Sequence, residues 1–296
     1  MKSQKNILIA FLLNLFFSVF EFLGGLFTGS FAVISDSLHD LGDAAGIGIS
    51  FLFEKKSTQK PDETYTYGYS RYSVMGSLVM TLILLMGSVT IIYNAISKIL
   101  NPTDINYNGM IILAVIGTVI NFAAAIITHK GESLNQKAVN LHMIEDVLGW
   151  IVVLIGAVVM KFTGISVIDP ILSIAVALFV FVNAVKTFAE AISLLLEKAP
   201  KNLHIDEIKE HLFEIDGIND VHHVHLWSLD GITNYATMHI VTDKDPHIIK
   251  ELVREELKHH NITHTTIEIE SSGEECTEPT CNILRPQAAH SHHHHH

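Results

Sequence analysis

Cysteine is nearly absent from this sequence: 296 residues contain two, Cys276 and Cys281, both close to the end. If that end lies in the cytosol, thiols there stay reduced, and a metal-binding or idle pair is favoured over a disulfide. Charge is also scarce, at 17% of residues, and the net charge of -12 comes largely from the final third. That balance suggests no nucleic-acid partner. No H-E-x-x-H occurs, and no other catalytic-base pattern accompanies the histidines, so a metalloenzyme reading has little to stand on. The first apolar run, preceded by Lys2 and Lys5, has no small-residue cleavage site after it. It reads as a retained helix rather than a signal peptide.

What is present is apolar. Hydrophobic residues make up 49% of the chain and crowd its first two thirds. A bilayer takes roughly 20 apolar residues per helix. The pattern predicts six spans, at about 7–29, 31–53, 72–100, 107–128, 138–160 and 168–196, of which the second and fifth carry polar residues. Lys2, Lys5, Lys55, Lys56, Lys60, Arg71, Lys130, Lys137, Lys198 and Lys201 all fall on one side of that arrangement. The other side holds little beyond Lys98 and Lys161 at its edges. The asymmetry predicts that both termini are cytoplasmic. The composition changes after "LLLEKAPKN". The expected domains are a membrane domain over 1–199, a soluble domain over 200–282, and a His-rich tail over 283–296 that is either an expression tag or a native tract.

The soluble part reads helix, strand, strand, helix, strand. "LHIDEIKEHLFEIDG" has helical spacing and ends on Gly217. "VHHVHLWSL" and "NYATMHIVT" flank an Asp230-Gly231 turn and read as a hairpin. "DPHIIKELVREELKHH" is a second helix and "HTTIEIES" a last strand. This αββαβ order suggests a small α+β sandwich with helices on one sheet face. A domain of this size gains stability from a partner, so dimerisation is expected.

The chemistry sits in the apolar part. Residues four apart share a helix face. His39 and Asp43 form such a pair in span two, and His142 and Asp146 repeat it in span five. If those faces meet, two imidazoles and two carboxylates converge. Four nitrogen and oxygen donors suit zinc, and two carboxylates neutralise a dication in a low-dielectric surround. A single His–Asp pair could be a structural hydrogen bond between helices. Two identical pairs weigh against that, because charges at the bilayer centre are costly and mark pathways or partners. Asp36 and Asp40 are also four apart on a neighbouring face, and spacing alone leaves the choice of pair open. Asn14 and Glu21, seven apart in span one, fit a structural or supporting role. Glu145 points about 100° away from Asp146 and fits a supporting or proton-accessible group better than a ligand.

At these residues the sequence resembles the cation diffusion facilitator family. The resemblance is carried by Asn14, Glu21, Gly24, Gly25, Gly29 and Ser30 in span one, and by "SDSLHDLGD", "YGYSRYSVMGSL", "LHMIED", "DPILSI" and "HLWSL". It runs from about residue 7 to 281, and the double H-x-x-x-D is its most specific part. It implies that His39, Asp43, His142 and Asp146 are the transport ligands. It also implies a homodimer with six spans per subunit, a metallochaperone-like cytoplasmic domain, and export of metal from the cytosol in exchange for protons. Histidine in both pairs points to zinc, with cadmium, cobalt or iron as other cargoes. Imidazole donors argue the same way. The resemblance further implies regulatory zinc in the cytoplasmic domain at His222, His239 and Glu270, with His247 and Glu268 matching less firmly. Cys276 and Cys281 follow Glu270 with C-x4-C spacing rather than the tighter spacing of some relatives. Certain relatives carry one more metal site between spans two and three. Here that loop has Asp62 and Glu63 but no His, so the site is expected to be absent or weak. The size and lack of a targeting extension suggest a bacterial plasma membrane. A membrane metal sensor or store that does not translocate is the competing reading.

Overall fold

The computed structural model describes residues 2–28, 31–100, 107–129, 131, 133–163 and 168–274. Cys276, Cys281 and the His-rich tail lie outside them. Contacts divide the chain into two compact units, Met1–Glu197 with Leu229–Ile232, and Lys198–Ser228 with the chain from Thr233 onward.

The first unit is built from six long helices: α1 (Lys2–Thr28), α2 (Phe31–Ser57), α3 (Arg71–Leu100), α4 (Tyr107–His129), α5 (Leu134–Thr163) and α6 (Ile168–Leu195). Among the described residues, four contain stretches long and apolar enough to cross a membrane: Ser3–Gly24, Arg71–Ser97, Leu134–Gly156 and Ser173–Leu195. In helix α4 the apolar stretch among the described residues is Ala114–His129. Helix α2 carries Asp40, Asp43 and Glu54 along its length and Lys55 and Lys56 in its last turn. That charge keeps it below the level of its neighbours.

The interior of this unit mixes small and apolar residues with buried polar ones, while large apolar side chains stand on the exterior. Ala10, Ala124, Ala125 and Ala138 are buried together with Ile7, Ile47, Met80 and Met143. Small residues let helix backbones approach closely where lipid offers no hydrophobic driving force. Phe16, Leu52, Met86, Val119 and Phe179 face outward. An apolar exterior of this extent is the surface that hydrocarbon solvates.

A buried polar knot ties α2, α3 and α5 together. Asn135 donates from Nδ2 to the Ser50 carbonyl at 2.9 Å and to Glu54 Oε2 at 3.1 Å. Ser73 donates to the same Glu54 oxygen at 2.9 Å. Gly76 leaves the space for this: a Cβ there would sit 2.6 Å from Asn135 Oδ1.

The loop from α2 to α3 is organised by Asp62. Its Oδ1 accepts from the backbone N–H groups of Thr64 and Tyr65, and its Oδ2 accepts from the Tyr69 hydroxyl. These bonds hold the Asp62 carboxyl below its ordinary range, the Tyr69 bond contributing most. The same bond pushes the Tyr69 phenol up to about 12. Lys56 lies over the Tyr69 ring, 4.3 Å from its centroid.

The second unit has the order α7 (Ile205–Phe213), β1 (Asp220–Ser228), β2 (Asn234–Val241), α8 (Pro246–His259) and β3 (Ile262–Glu270). The sheet order is β1-β2-β3, with β1 antiparallel and β3 parallel to β2. Gly217, at φ +99°, ends the turn after α7, a conformation glycine adopts without strain. Asp245 caps α8 by accepting from the His247 N–H at 2.8 Å, and Pro246 follows at the first helical position. Ala236, Met238 and Ile240 alternate along β2 and pack against Ile208 and Leu212 of α7 and Ile249, Val253 and Leu257 of α8. The helices thus cover one sheet face. Tyr235, Thr237, His239 and Val241 point to the other, as a period of two requires.

Candidate metal centres

In the first unit, α2 and α5 bring their acidic faces together around His142. The imidazole is buried, with Nε2 3.9 Å from Asp43 Oδ2 and 3.9 Å from Asp146 Oδ2. Its Nδ1 faces Glu145 Oε2 at 3.6 Å. Neither ring nitrogen has a hydrogen-bond partner among the described residues. Buried polar atoms are nearly always satisfied. A ring with both nitrogens in this state, facing three carboxylates, is arranged for a cation or for protons. Asp43, His142 and Asp146 can each offer one atom, all within 4.8 Å of one another. His39 lies on α2 one turn before Asp43, and its side chain falls outside the described residues, as does that of Asp36.

Two supporting groups complete the surroundings. Asn14 of α1 donates from Nδ2 to Asp146 Oδ2 at 3.3 Å, so a third helix orients one carboxylate. Glu145 stands on the far side of the imidazole from Asp43, where it can fix the ring's orientation. Spacing had marked both residues as supporting groups but could not name the atom either one touches. Glu21 is buried on the same helix as Asn14.

In the second unit the open sheet face carries a denser cluster. His222 of β1 pairs in register with His239 of β2. The Glu270 carboxylate at the end of β3 lies 3.2 Å from His222 Nε2 through Oε2 and 2.7 Å from His239 Nδ1 through Oε1. Asp220 holds the other nitrogen of His222 at 2.8 Å, the orienting contact typical of a metal-binding imidazole. Glu268 reaches His239 Nε2 at 3.3 Å from the rim. His247 is exposed in the first turn of α8 and joins none of these groups.

The local fold explains the crowding. The β1–β2 register shifts between His222 and His225, and His223 has φ +50°. This is a bulge, which adds one residue to β1. It lets Val221 and Leu226 both face the core although an odd number of positions separates them. His222 and His225 then share the open face, and the His223 ring stacks on His239 with centroids 4.7 Å apart. His225 is exposed on this face, and slight desolvation, helped by His223 and His239, lowers its pKa.

Comparison with known proteins matches both units. The family model described as the cation efflux transmembrane domain covers residues 7–196. The model described as the cytoplasmic domain of cation efflux proteins covers residues 200–272. The chain is 33% identical over 301 residues to the zinc transporter ZitB of Yersinia pseudotuberculosis, covering 99% of this chain and 96% of the relative. It is 29% identical over 302 residues to the cadmium, cobalt and zinc/H(+)-K(+) antiporter of Bacillus subtilis, covering 99% and 97%. The metal cation efflux system protein CzcD of Cupriavidus metallidurans is 28% identical over 274 residues, covering 90% and 87%.

This chain belongs to the cation diffusion facilitator family, the cation efflux proteins.

A cation diffusion facilitator is a multi-pass membrane protein and a transporter rather than an enzyme. The two clusters fall one in each of its domains. The matched region ends at residue 272, before Cys276 and Cys281. A third group, His211, Glu256 and His260, sits in the helical layer of the cytoplasmic unit. Sequence reasoning did not single out any of the three. Glu256 and His260 show i,i+4 spacing, but their meeting with His211 depends on how α7 packs against α8.

Proposed function

We propose that this protein exports zinc from the cytosol in exchange for protons, through a site formed by His39, Asp43, His142 and Asp146. The observation that carries the reading is the buried His142 imidazole, 3.9 Å from carboxylates on two different helices. His39, one turn from Asp43, supplies the fourth donor of a tetrahedral set. Imidazole must be neutral and carboxylate ionised to bind metal. Protons therefore compete with zinc for the same lone pairs. When the site faces the side of low metal and high proton concentration, protons take those positions and zinc leaves. When it faces the cytosol, the exchange reverses. Glu145, against the other nitrogen of His142, orients the ring and can accept the proton that it sheds.

Six helices cross the plasma membrane in this reading, with both termini in the cytoplasm. The excess of Lys and Arg in the segments on that side supports the orientation. The membrane domain covers 1–199 and the cytoplasmic domain 200–282, and two copies pair through the latter. His222, His239 and Glu270, with Glu268 at the rim, form a zinc site that senses cytosolic metal. The Asp220–His222 bond supports that assignment. Names of the relatives favour zinc as cargo, and the Bacillus protein's name adds cadmium and cobalt.

Everted membrane vesicles test the reading. An imposed pH gradient, acid inside, should drive zinc uptake that collapses with a protonophore. Binding without gradient-driven accumulation would make the protein a store or sensor. Parallel runs with cadmium, cobalt and iron rank the cargoes.

A further inference from the structure

The two helices of the cytoplasmic unit meet along a seam. On α8 the buried stripe is Ile249, Val253 and Leu257, and on α7 it is Ile208 and Leu212. Residues one position before the last of each stripe lie about 100° round the helix, at its flank. These are Glu256 on α8 and His211 on α7. His260, the C-cap that follows α8, lies one turn beyond Glu256 on the same flank. The packing that buries the stripes therefore brings His211, Glu256 and His260 together.

Their geometry is that of three corners of a coordination polyhedron. His211 Nδ1 lies 2.8 Å from His260 Nε2. Glu256 Oε1 lies 3.5 Å from the first nitrogen and 3.6 Å from the second. A tetrahedral zinc site with bonds of about 2.0–2.1 Å has ligand–ligand edges of about 3.3 Å. The three edges here bracket that length. The imidazoles can satisfy each other with one N–H···N bond, but that leaves the carboxylate oxygen beyond hydrogen-bonding distance of both rings. A cation at the centre engages all three donors at once. Both helices also direct their C-terminal ends at the site, His211 in the last turn of α7 and His260 at the cap of α8. Helix C-termini carry the negative end of the macrodipole and favour positive charge.

We propose that His211, Glu256 and His260 bind a zinc ion that clasps α7 to α8. This site lies on the helical layer, on the opposite side of the sheet from His222, His239 and Glu270. Half-exposure of His211 and Glu256 leaves the fourth corner to water, so the metal exchanges with the cytosol. The clasp would stiffen the seam between the helices when zinc is plentiful.

Hydrogen exchange read by mass spectrometry tests this on the full chain in detergent. His222→Ala and His239→Ala are included to silence the sheet-face cluster. Added zinc should slow amide exchange in segments 208–215 and 254–262. His211→Asn and His260→Asn should each abolish that protection, and the zinc retained after dialysis should fall by one per chain. Exchange without zinc reports whether each variant is folded. If the Asn variants exchange faster than the parent before zinc is added, Glu256→Gln, which keeps both imidazoles, carries the same comparison. Zinc that leaves both segments unchanged, protection that survives in the folded variants, or unaltered zinc retention would overturn the proposal.

Discussion

Asn14 of α1 donates a hydrogen bond to the Asp146 carboxylate of α5 at 3.3 Å, across 132 positions of sequence. Both residues are among the least expected in an apolar helix, and each explains the other. The amide and the His142 ring meet the same carboxylate oxygen, Asp146 Oδ2, at 3.3 Å and 3.9 Å, so the amide holds in place the oxygen that faces the imidazole. Groups that orient a metal ligand cost about 10–100-fold in affinity or activity when removed. Asn14→Ala should therefore lower apparent zinc affinity in vesicle uptake by about that factor while the protein stays folded. Asn14→Asp, which adds a like charge beside Asp146, should impair uptake more than Asn14→Ala does.

The knot of Ser50, Glu54, Ser73 and Asn135 predicts a stability effect separate from transport chemistry. Asn135→Ala removes the amide that donates to Glu54 and to the Ser50 carbonyl. It also takes away the Asn135 oxygen to which the buried Ser50 hydroxyl donates, and leaving a buried polar group unsatisfied costs about 1–3 kcal/mol. Thermal unfolding in detergent should shift down accordingly. Gly76→Ala should behave similarly, because its new methyl group displaces the same Asn135 side chain.

At the cytoplasmic cluster, Asp220→Asn should weaken zinc binding about tenfold or more, measured by calorimetry, without removing a ligand. The asparagine can still accept a hydrogen bond from His222 Nδ1, but the negative charge that raises the ring's basicity is gone. His239→Ala should do more, because His239 is in contact with both Glu268 and Glu270.

Stability should depend on pH through His225. Slight desolvation, with His223 and His239 nearby, depresses its folded pKa below the ordinary 6.5. The unfolded chain then binds more protons near pH 6 than the folded one, and stability falls as pH drops. The contribution is complete above 6.5 and is lost as pH falls through the folded value. Thermal denaturation from pH 7.5 to 5.5 should show a decline that His225→Gln reduces.

Much of this architecture is legible from two periodicities. Apolar runs place six helices within a few residues of their observed ends, and the repeat of two sets the strands of the cytoplasmic unit. His39/Asp43 and His142/Asp146 were legible as pairs because a helix puts i and i+4 on one face. Spacing could not separate Asp43 from Asp40 as the residue that meets α5. That depends on helix rotation, and the structure brings Asp43 to His142. The bulge at His223 was not legible: one extra residue in β1 changes which histidines share a face, and nothing in "VHHVHLWSL" announces it. The same limit applied to His211, whose partners lie on another helix and are set by a packing angle.

Coupled flux in proteoliposomes tests the central claim most directly, with zinc added outside and proton movement followed by a trapped pH dye. The account predicts that zinc evokes proton counterflow in the native protein, and that Asp43→Ala, His142→Ala and Asp146→Ala each abolish it with the protein still folded. Zinc transport at the native rate in an Asp43→Ala/Asp146→Ala variant, or native zinc transport with no proton movement, would contradict it.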